Sequence, residues 1–352
     1  MKTALAAMLV TGTALAAEPK VHKDIPYTDP KTEKQTLDVY APLAGKGRPV
    51  VVWIHGGGWQ AGDKKEVNKK PQAFADKGLV FVSVNYRLLP AVTIQEMAGD
   101  VAKAIRWVRD HAKEYGGDPD ALIVTGHSAG AQLAAIVCTD DKYLKAEKVP
   151  ITAIKACIPV DGDTYDVPLQ IATVEERRST LYRKKFGDEA SQKELSPVTH
   201  AAKGKGIPPF LILHVADHPE VKMQSEKLAK ALTAAGVTAA LHPAPGKTHV
   251  AIDADLGAAD DKPTAAAFAF LDKILKPRTL AFFQAKLSKA LTMAAAEEVF
   301  GKPDRDIGSG LHIHEYALDD GSKVLLGFGG PGPISYAKRV TKDGKREDLP
   351  LE

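Results

Sequence analysis

Apolar and polar positions along the chain follow two rhythms. Residues 49–54, 79–84, 122–125, 154–160 and 210–215 are short, nearly continuous apolar runs rich in valine and isoleucine. Such runs predict strands buried on both faces of a parallel sheet. Between them, apolar residues recur at three- and four-residue spacing over 67–77, 94–115, 222–235 and 264–275, and 129–138 is rich in alanine. These segments predict helices, the 222–235 helix ending at Gly236 as a C-cap. Strands alternating with helices imply βαβ units with right-handed crossovers, hence an α/β fold with a mostly parallel, doubly wound sheet. Residues 35–40 alternate instead, which predicts an antiparallel strand with one wet face.

Two stretches depart from this rhythm. Residues 161–205 are charged, with Glu175-Glu176-Arg177-Arg178 and Arg183-Lys184-Lys185. They are expected to form a helical insertion over the sheet edge, with the charge runs as solvated helix faces. Pro277 marks a domain boundary. Beyond it, a helix over 280–299 is expected, then two hairpins. Asp320-Gly321 separates the runs 311–318 and 323–328, and Asp343-Gly344 follows 334–340. Asp-Gly between alternating runs is a strong hairpin signal. The expected layout is therefore a large domain over 18–277 and a small α+β module over 278–352.

Length and composition agree with this layout. The chain has 352 residues, of which 44% are hydrophobic, enough to bury a sizeable core. The formal charge of +3 gives no reason to expect a nucleic-acid partner. Residues 1–17 read as a signal peptide. Lys2 supplies the positive start, 4–16 is apolar but too short to span a bilayer, and Ala14-Leu15-Ala16 suits a cleavage site. A secreted or periplasmic location is the expectation, with no transmembrane segment. Cys138 and Cys157 lie in apolar runs and are expected to be buried thiols, although export would permit a bridge.

The candidate chemistry centres on Ser128. An apolar run enters Gly126-His127-Ser128-Ala129-Gly130, and an alanine-rich helix leaves it. A sharp strand-to-helix turn of this kind projects a hydroxyl clear of the sheet, and the helix N-terminus favours negative charge beside it. A second element, His55-Gly56-Gly57-Gly58-Trp59, ends another apolar strand. Three glycines let backbone amides converge on one point, as a tetrahedral oxyanion requires. No Gly-Lys-Ser/Thr follows that would make the loop a phosphate cradle, so no cofactor is expected. His312 and His314 share one face of an expected strand, a metal-ligand spacing, but with no third ligand in view they read as a surface pair.

These motifs, with Asn85-Tyr86-Arg87-Leu88, Asp118-Pro119 and Ser196-Pro197-Val198-Thr199-His200, resemble the carboxylesterases of the hormone-sensitive-lipase type. The similarity is nearer still to the bifunctional feruloyl and acetyl xylan esterases, and it covers about residues 33–276. The resemblance implies an α/β-hydrolase fold with Gly57, Gly58 and Ala129 as oxyanion donors. It also implies a serine, acid, histidine order along the chain. On that order Asp217, just after the 210–215 strand, is the expected acid, with Glu220 as an alternative. The group often has His-Gly-Asp there, whereas this chain has His214-Val215-Ala216-Asp217. His249 is the expected base, with His242 as competitor. Trp59 is expected either to line the acyl pocket or to pack behind the glycine loop. Asp100 reads as structural, and Gly99 within the same helical pattern has no evident reason. The 278–352 module resembles the helix-and-hairpin modules of outer-membrane assembly lipoproteins and β-lactamase-inhibitor proteins, which implies protein binding or simple packing.

The function these residues imply is hydrolysis of a small-molecule or polysaccharide ester through an acyl-enzyme, with acetyl or feruloyl groups as candidate acyl parts. Formamidases of the kynurenine type share the glycine loop and are an alternative, though export argues against them. A non-catalytic binding protein on the same scaffold is a third reading. It is disfavoured because a candidate exists for every catalytic role.

Overall fold

The structure is a computed structural model that describes residues 18–276 and 278–352. The expected signal peptide and residue 277 lie outside the described residues. The order of elements is β1 (Lys20–Pro26), β2 (Thr36–Ala41), β3 (Arg48–Ile54), α1 (Lys70–Asp76), β4 (Val80–Val84), α2 (Ile94–His111), β5 (Gly117–His127) and α3 (Ala129–Thr139). Next come α4 (Lys142–Ala146), β6 (Ile154–Val160), α5 (Val167–Thr173), α6 (Glu176–Phe186), α7 (Glu189–Glu194) and α8 (Pro197–His200). The large domain closes with β7 (Phe210–Val215), α9 (Pro219–Ala234), β8 (Ala239–Ala244), α10 (His249–Ala254) and α11 (Lys262–Leu275).

The eight strands form one sheet in the order β1-β2-β4-β3-β5-β6-β7-β8. The pairs β1/β2 and β2/β4 are antiparallel, and all others are parallel. This is the α/β-hydrolase architecture, and every apolar run named above is one of its strands. Side-chain alternation along β3 divides the interior. Val50, Val52 and Ile54 join Met97, Val101 and Ile105 of α2 and Leu133 and Val137 of α3 in one core. Val51 and Trp53 join Phe74 of α1 and Ala267 and Leu271 of α11 in the other. Both faces of the central strands are covered, which is why their sequence reads as continuous rather than alternating.

Strand β2 differs from the expectation of a wet face. The segment after the glycine loop folds over it and buries Lys64 against Asp38, with 2.6 Å between Nζ and Oδ1 and side chains about 1% exposed. The 161–205 segment also sits elsewhere than expected. It enters between β6 and β7, inside the sheet, and forms α5 to α8 at the carboxyl end of the strands.

Residues 278–352 form a five-stranded antiparallel sheet, β13-β12-β11-β10-β9. Its strands are β9 (Arg305–Asp306), β10 (His312–Ala317), β11 (Lys323–Phe328), β12 (Ile334–Val340) and β13 (Arg346–Asp348). Both expected hairpins are present. The expected long helix is instead two short ones, α12 (Leu280–Gln284) and α13 (Met293–Phe300). The break has a cause. Leu287 and Leu291 turn into a separate core with Phe283, Phe300, Tyr316 and Phe328. The Leu291 carbonyl then accepts the Ile334 N–H at the start of β12, and the Thr292 hydroxyl caps α13 at Ala295.

The fold accounts for Asp100 but not for Gly99. Asp100 is fully buried in α2 and takes a two-pronged bond from Arg87 (2.7 and 2.8 Å) and one from Gln35 (2.7 Å). A Cβ added to Gly99 would meet nothing within 4 Å, and its φ is not left-handed. Gly99→Ala is therefore expected to stabilise the protein by about 0.5–1 kcal/mol, read as a rise in the urea midpoint at constant slope.

Candidate active site

Ser128 stands at the junction of β5 and α3 with φ 55° and ψ −118°, a backbone conformation rarely held by a residue with a side chain. Close packing enforces it. A Cβ on Gly130 would lie 2.1 Å from the Ile54 carbonyl oxygen, and one on Gly126 would lie 2.5 Å from the carbonyl of Gly130. The flanking glycines are thus required by the approach of β3 to the start of α3. Ala129 opens that helix as its first residue.

The glycine loop leaves β3 beside this turn. Gly57 (φ 110°) and Gly58 (φ 58°) are left-handed, and the Gly57 carbonyl accepts the N–H groups of Gln60 and Ala61. Asn85-Tyr86 holds the loop from the next strand. The Tyr86 hydroxyl donates to the His55 carbonyl at 3.0 Å, and the two rings stack 4.5 Å apart. The Asn85 side chain accepts the Lys64 N–H and donates to Asp63.

A cavity of about 310 Å3 opens here. It is lined by Trp53, His55, Gly56, Gly57, Gly58, Glu66, His127, Ser128, His249, Val250 and Asp253. Ser128, His249 and the glycine loop therefore share one cavity. A larger hollow of about 510 Å3 lies between the 27–35 segment and α2 and holds none of these residues.

The partner of His249 is not the expected one. His249 Nδ1 lies 2.6 Å from Oδ2 of Asp161, the residue directly after β6. Asp161 is buried, has φ 53°, and takes a second bond from the Val215 N–H at 2.7 Å. Burial opposes its charge, yet these bonds hold the carboxyl below its usual range. The same hydrogen bond raises the His249 imidazole above its ordinary value, against the effect of burial. Asp217 is exposed and accepts the Gly246 N–H at 3.2 Å. The turn after β7 is too short to bring it inward. Ala216 and Asp217 lead straight to His218, which caps α9. Glu220 pairs with Arg178, and His242 lies within β8.

His127, the residue before Ser128, also contributes to the site, which the sequence did not reveal. Its Nε2 lies 2.9 Å from the His249 carbonyl oxygen, so this nitrogen carries the proton. Burial pulls its pKa down to about 4, so the ring is neutral near pH 7. It thereby fixes the backbone of the residue whose side chain meets Asp161. On the outer side, Lys70 Nζ meets Asp253 of α10 at 2.7 Å and lies 4.4 Å over the Trp53 ring, pinning α10 to the sheet.

Trp59 does not line the cavity. It is buried, donates to Gln132 at 3.3 Å, and meets Phe186 edge-on at 5.0 Å. It packs behind the glycine loop, the second of the two expected roles. Cys138 and Cys157 are free, buried thiols.

Two groups of described residues have metal-like spacing. In one, His127, Asp161 and His249 are engaged in the bonds above. In the other, the Lys142 ammonium already sits between Asp140 and Glu194. His312 and His314 take separate surroundings, His312 with Asp306 and His314 buried against Phe328. Among the described residues no helix is long and apolar enough to cross a membrane.

Residues 37–232, more than half of the chain, match the profile of the BD-FAE family. The chain belongs to the BD-FAE family. Curated relatives include the esterase LipQ of Mycobacterium tuberculosis, 31% identical over 65% of this chain and 57% of its own length. The carboxylesterase NlhH of the same organism is 30% identical over 60% and 68%. The chain spans about half the length of the first curated relatives it matches. Among solved structures, Thermogutta terrifontis esterase 2 aligns with a TM-score of 0.57 at 28% identity, covering 74% of this chain and 96% of that one. The same esterase has been solved with butyrate bound.

If Asp161 is the carboxylate that sets His249, its charge must be visible in the imidazole titration. Asp161→Asn is expected to lower the His249 pKa and Asp217→Asn to leave it in place, followed by NMR of the ring protons.

Proposed function

We propose that this protein is a serine carboxylic-ester hydrolase that works through an acyl-enzyme. The observation that carries the reading is the convergence of a strained Ser128, the Asp161–His249 pair and the Gly57–Gly58 loop on one cavity. In this reading His249 takes the proton of the Ser128 hydroxyl as it attacks the ester carbonyl. Asp161 orients the ring and stabilises its charged form. The amides of Gly57, Gly58 and Ala129 receive the oxyanion. The alcohol leaves with the proton from His249, and water then hydrolyses the Ser128 ester by the same sequence.

The cavity volume suits a short acyl chain, and butyrate in the Thermogutta terrifontis enzyme supports that size. Acetyl and feruloyl esters of polysaccharides outside the cytoplasm are the proposed natural class, on the resemblance and on an N-terminal segment that reads as a signal peptide. Ser128→Ala is expected to abolish hydrolysis of a short-chain nitrophenyl ester while leaving the circular-dichroism melt in place. Retained turnover would sink the proposal.

The pH profile offers a second check. The base must be neutral, and Asp161 makes His249 easier to protonate than a free imidazole. kcat/KM should therefore fall on the acid side at a pH above the ordinary histidine value. Asp161→Asn should move that limb to lower pH and reduce kcat by about 10³–10⁴-fold, measured with the same nitrophenyl ester.

A further inference from the structure

Helix α6 was expected to show solvent only charge. Its charges divide instead. Arg177, Arg183 and Lys184 are exposed, whereas Arg178, Tyr182 and Lys185, spaced i, i+4 and i+7, face inward. Arg178 and Tyr182 are committed to Asp163 and Glu220. Lys185 goes further. Its ammonium donates to the Gly58 carbonyl at 3.1 Å and lies 5.3 Å from the centre of the Trp59 ring. Phe186, the next residue, is buried against the same tryptophan. Among the described residues Lys185 makes no ion pair, so its charge is directed at the loop. Half-burial lowers its pKa, with Asp163 opposing.

The contact falls where it matters for the proposed chemistry. Gly58 is left-handed and has no side chain to limit its motion, and a Cβ there would sit 3.4 Å from the Lys185 nitrogen. Its carbonyl belongs to the peptide that follows the Gly57–Gly58 amides, so a bond to it limits rotation at the end of the loop that carries them. We infer that Lys185 is a positioning residue: from the insertion, it holds the glycine loop in the conformation that receives the oxyanion. The inference rests on the esterase reading. It makes the insertion part of the oxyanion site.

The test compares wild type with Lys185→Met, which keeps the apolar stem over Trp59, and with Lys185→Arg. The probes are a nitrophenyl acetate and an alkyl trifluoromethyl ketone, which captures a serine as a tetrahedral oxyanion. Lys185→Met should lower kcat about tenfold with KM changed less than about twofold. The ketone should bind more weakly by the same factor as kcat falls, and Lys185→Arg should restore most of both. A loss of packing alone would lower the melting temperature without that parallel. The inference is overturned if kcat of Lys185→Met stays within about twofold of wild type, or if the ketone binds both proteins equally. Failure of the esterase reading is separate: wild type would then neither hydrolyse the ester nor bind the ketone.

Discussion

The site depends on one steric constraint, the contact between the end of β3 and the first turn of α3. The carbonyls of Ile54 and His55 come so close to Gly130 that no Cβ fits between them. That contact bends the chain at Ser128 into a conformation it would not otherwise adopt. It also sets the glycine loop, which continues from His55, beside the hydroxyl. Ser128 and the loop are thus adjacent because two backbone segments touch, before any side chain takes part. Strain gathers around this point. Trp59, Ser128 and Asp161 are three of the six described non-glycine residues with left-handed φ.

Buried polar groups hold the rest of the frame. Lys64 with Asp38 and Arg87 with Asp100 tie loops to the sheet and to α2, and Lys70 with Asp253 ties α1 to α10. Removing Lys64 or Asp253 leaves Asp38 or Lys70, each about 1% exposed or less, buried without its counter-charge, which costs about 3–5 kcal/mol. These ties resist loop motion in a way that apolar contacts, being non-directional, do not.

Much of this was legible in the chain. The apolar runs at 49–54, 79–84, 122–125, 154–160 and 210–215 are strands because central strands of a parallel sheet are covered on both faces. The Gly-x-Ser-x-Gly and His-Gly-Gly-Gly motifs were legible because backbone crowding demands glycine at fixed positions. The acid was not. Order along the chain pointed to Asp217, but β7 hands over to α9 after three residues and leaves that carboxylate outside. Asp161 carried a signal that was passed over. It ends an apolar strand with Gly162 beside it, at the start of the segment where the strand–helix rhythm fails. The inward stripe of α6 was hidden for another reason. A charge pattern alone does not reveal which side of a short helix meets the protein, and a half-buried lysine or arginine can keep its head hydrated.

The position of Asp161 has a further meaning for how this protein can change. It is the last residue anchored to the sheet before the α5–α8 insertion, its N–H bonded to Leu213 and its carboxylate to Val215. The carboxylate therefore also stands at the root of the α5–α8 insertion. Were the partner of His249 to follow β7, the insertion after β6 could be lengthened, shortened or exchanged with that partner left alone. Here any graft that shifts the root moves the carboxylate bonded to His249. An exchange of the insertion that begins beyond Gly162 leaves the bonds of Asp161 to Leu213, Val215 and His249 in place.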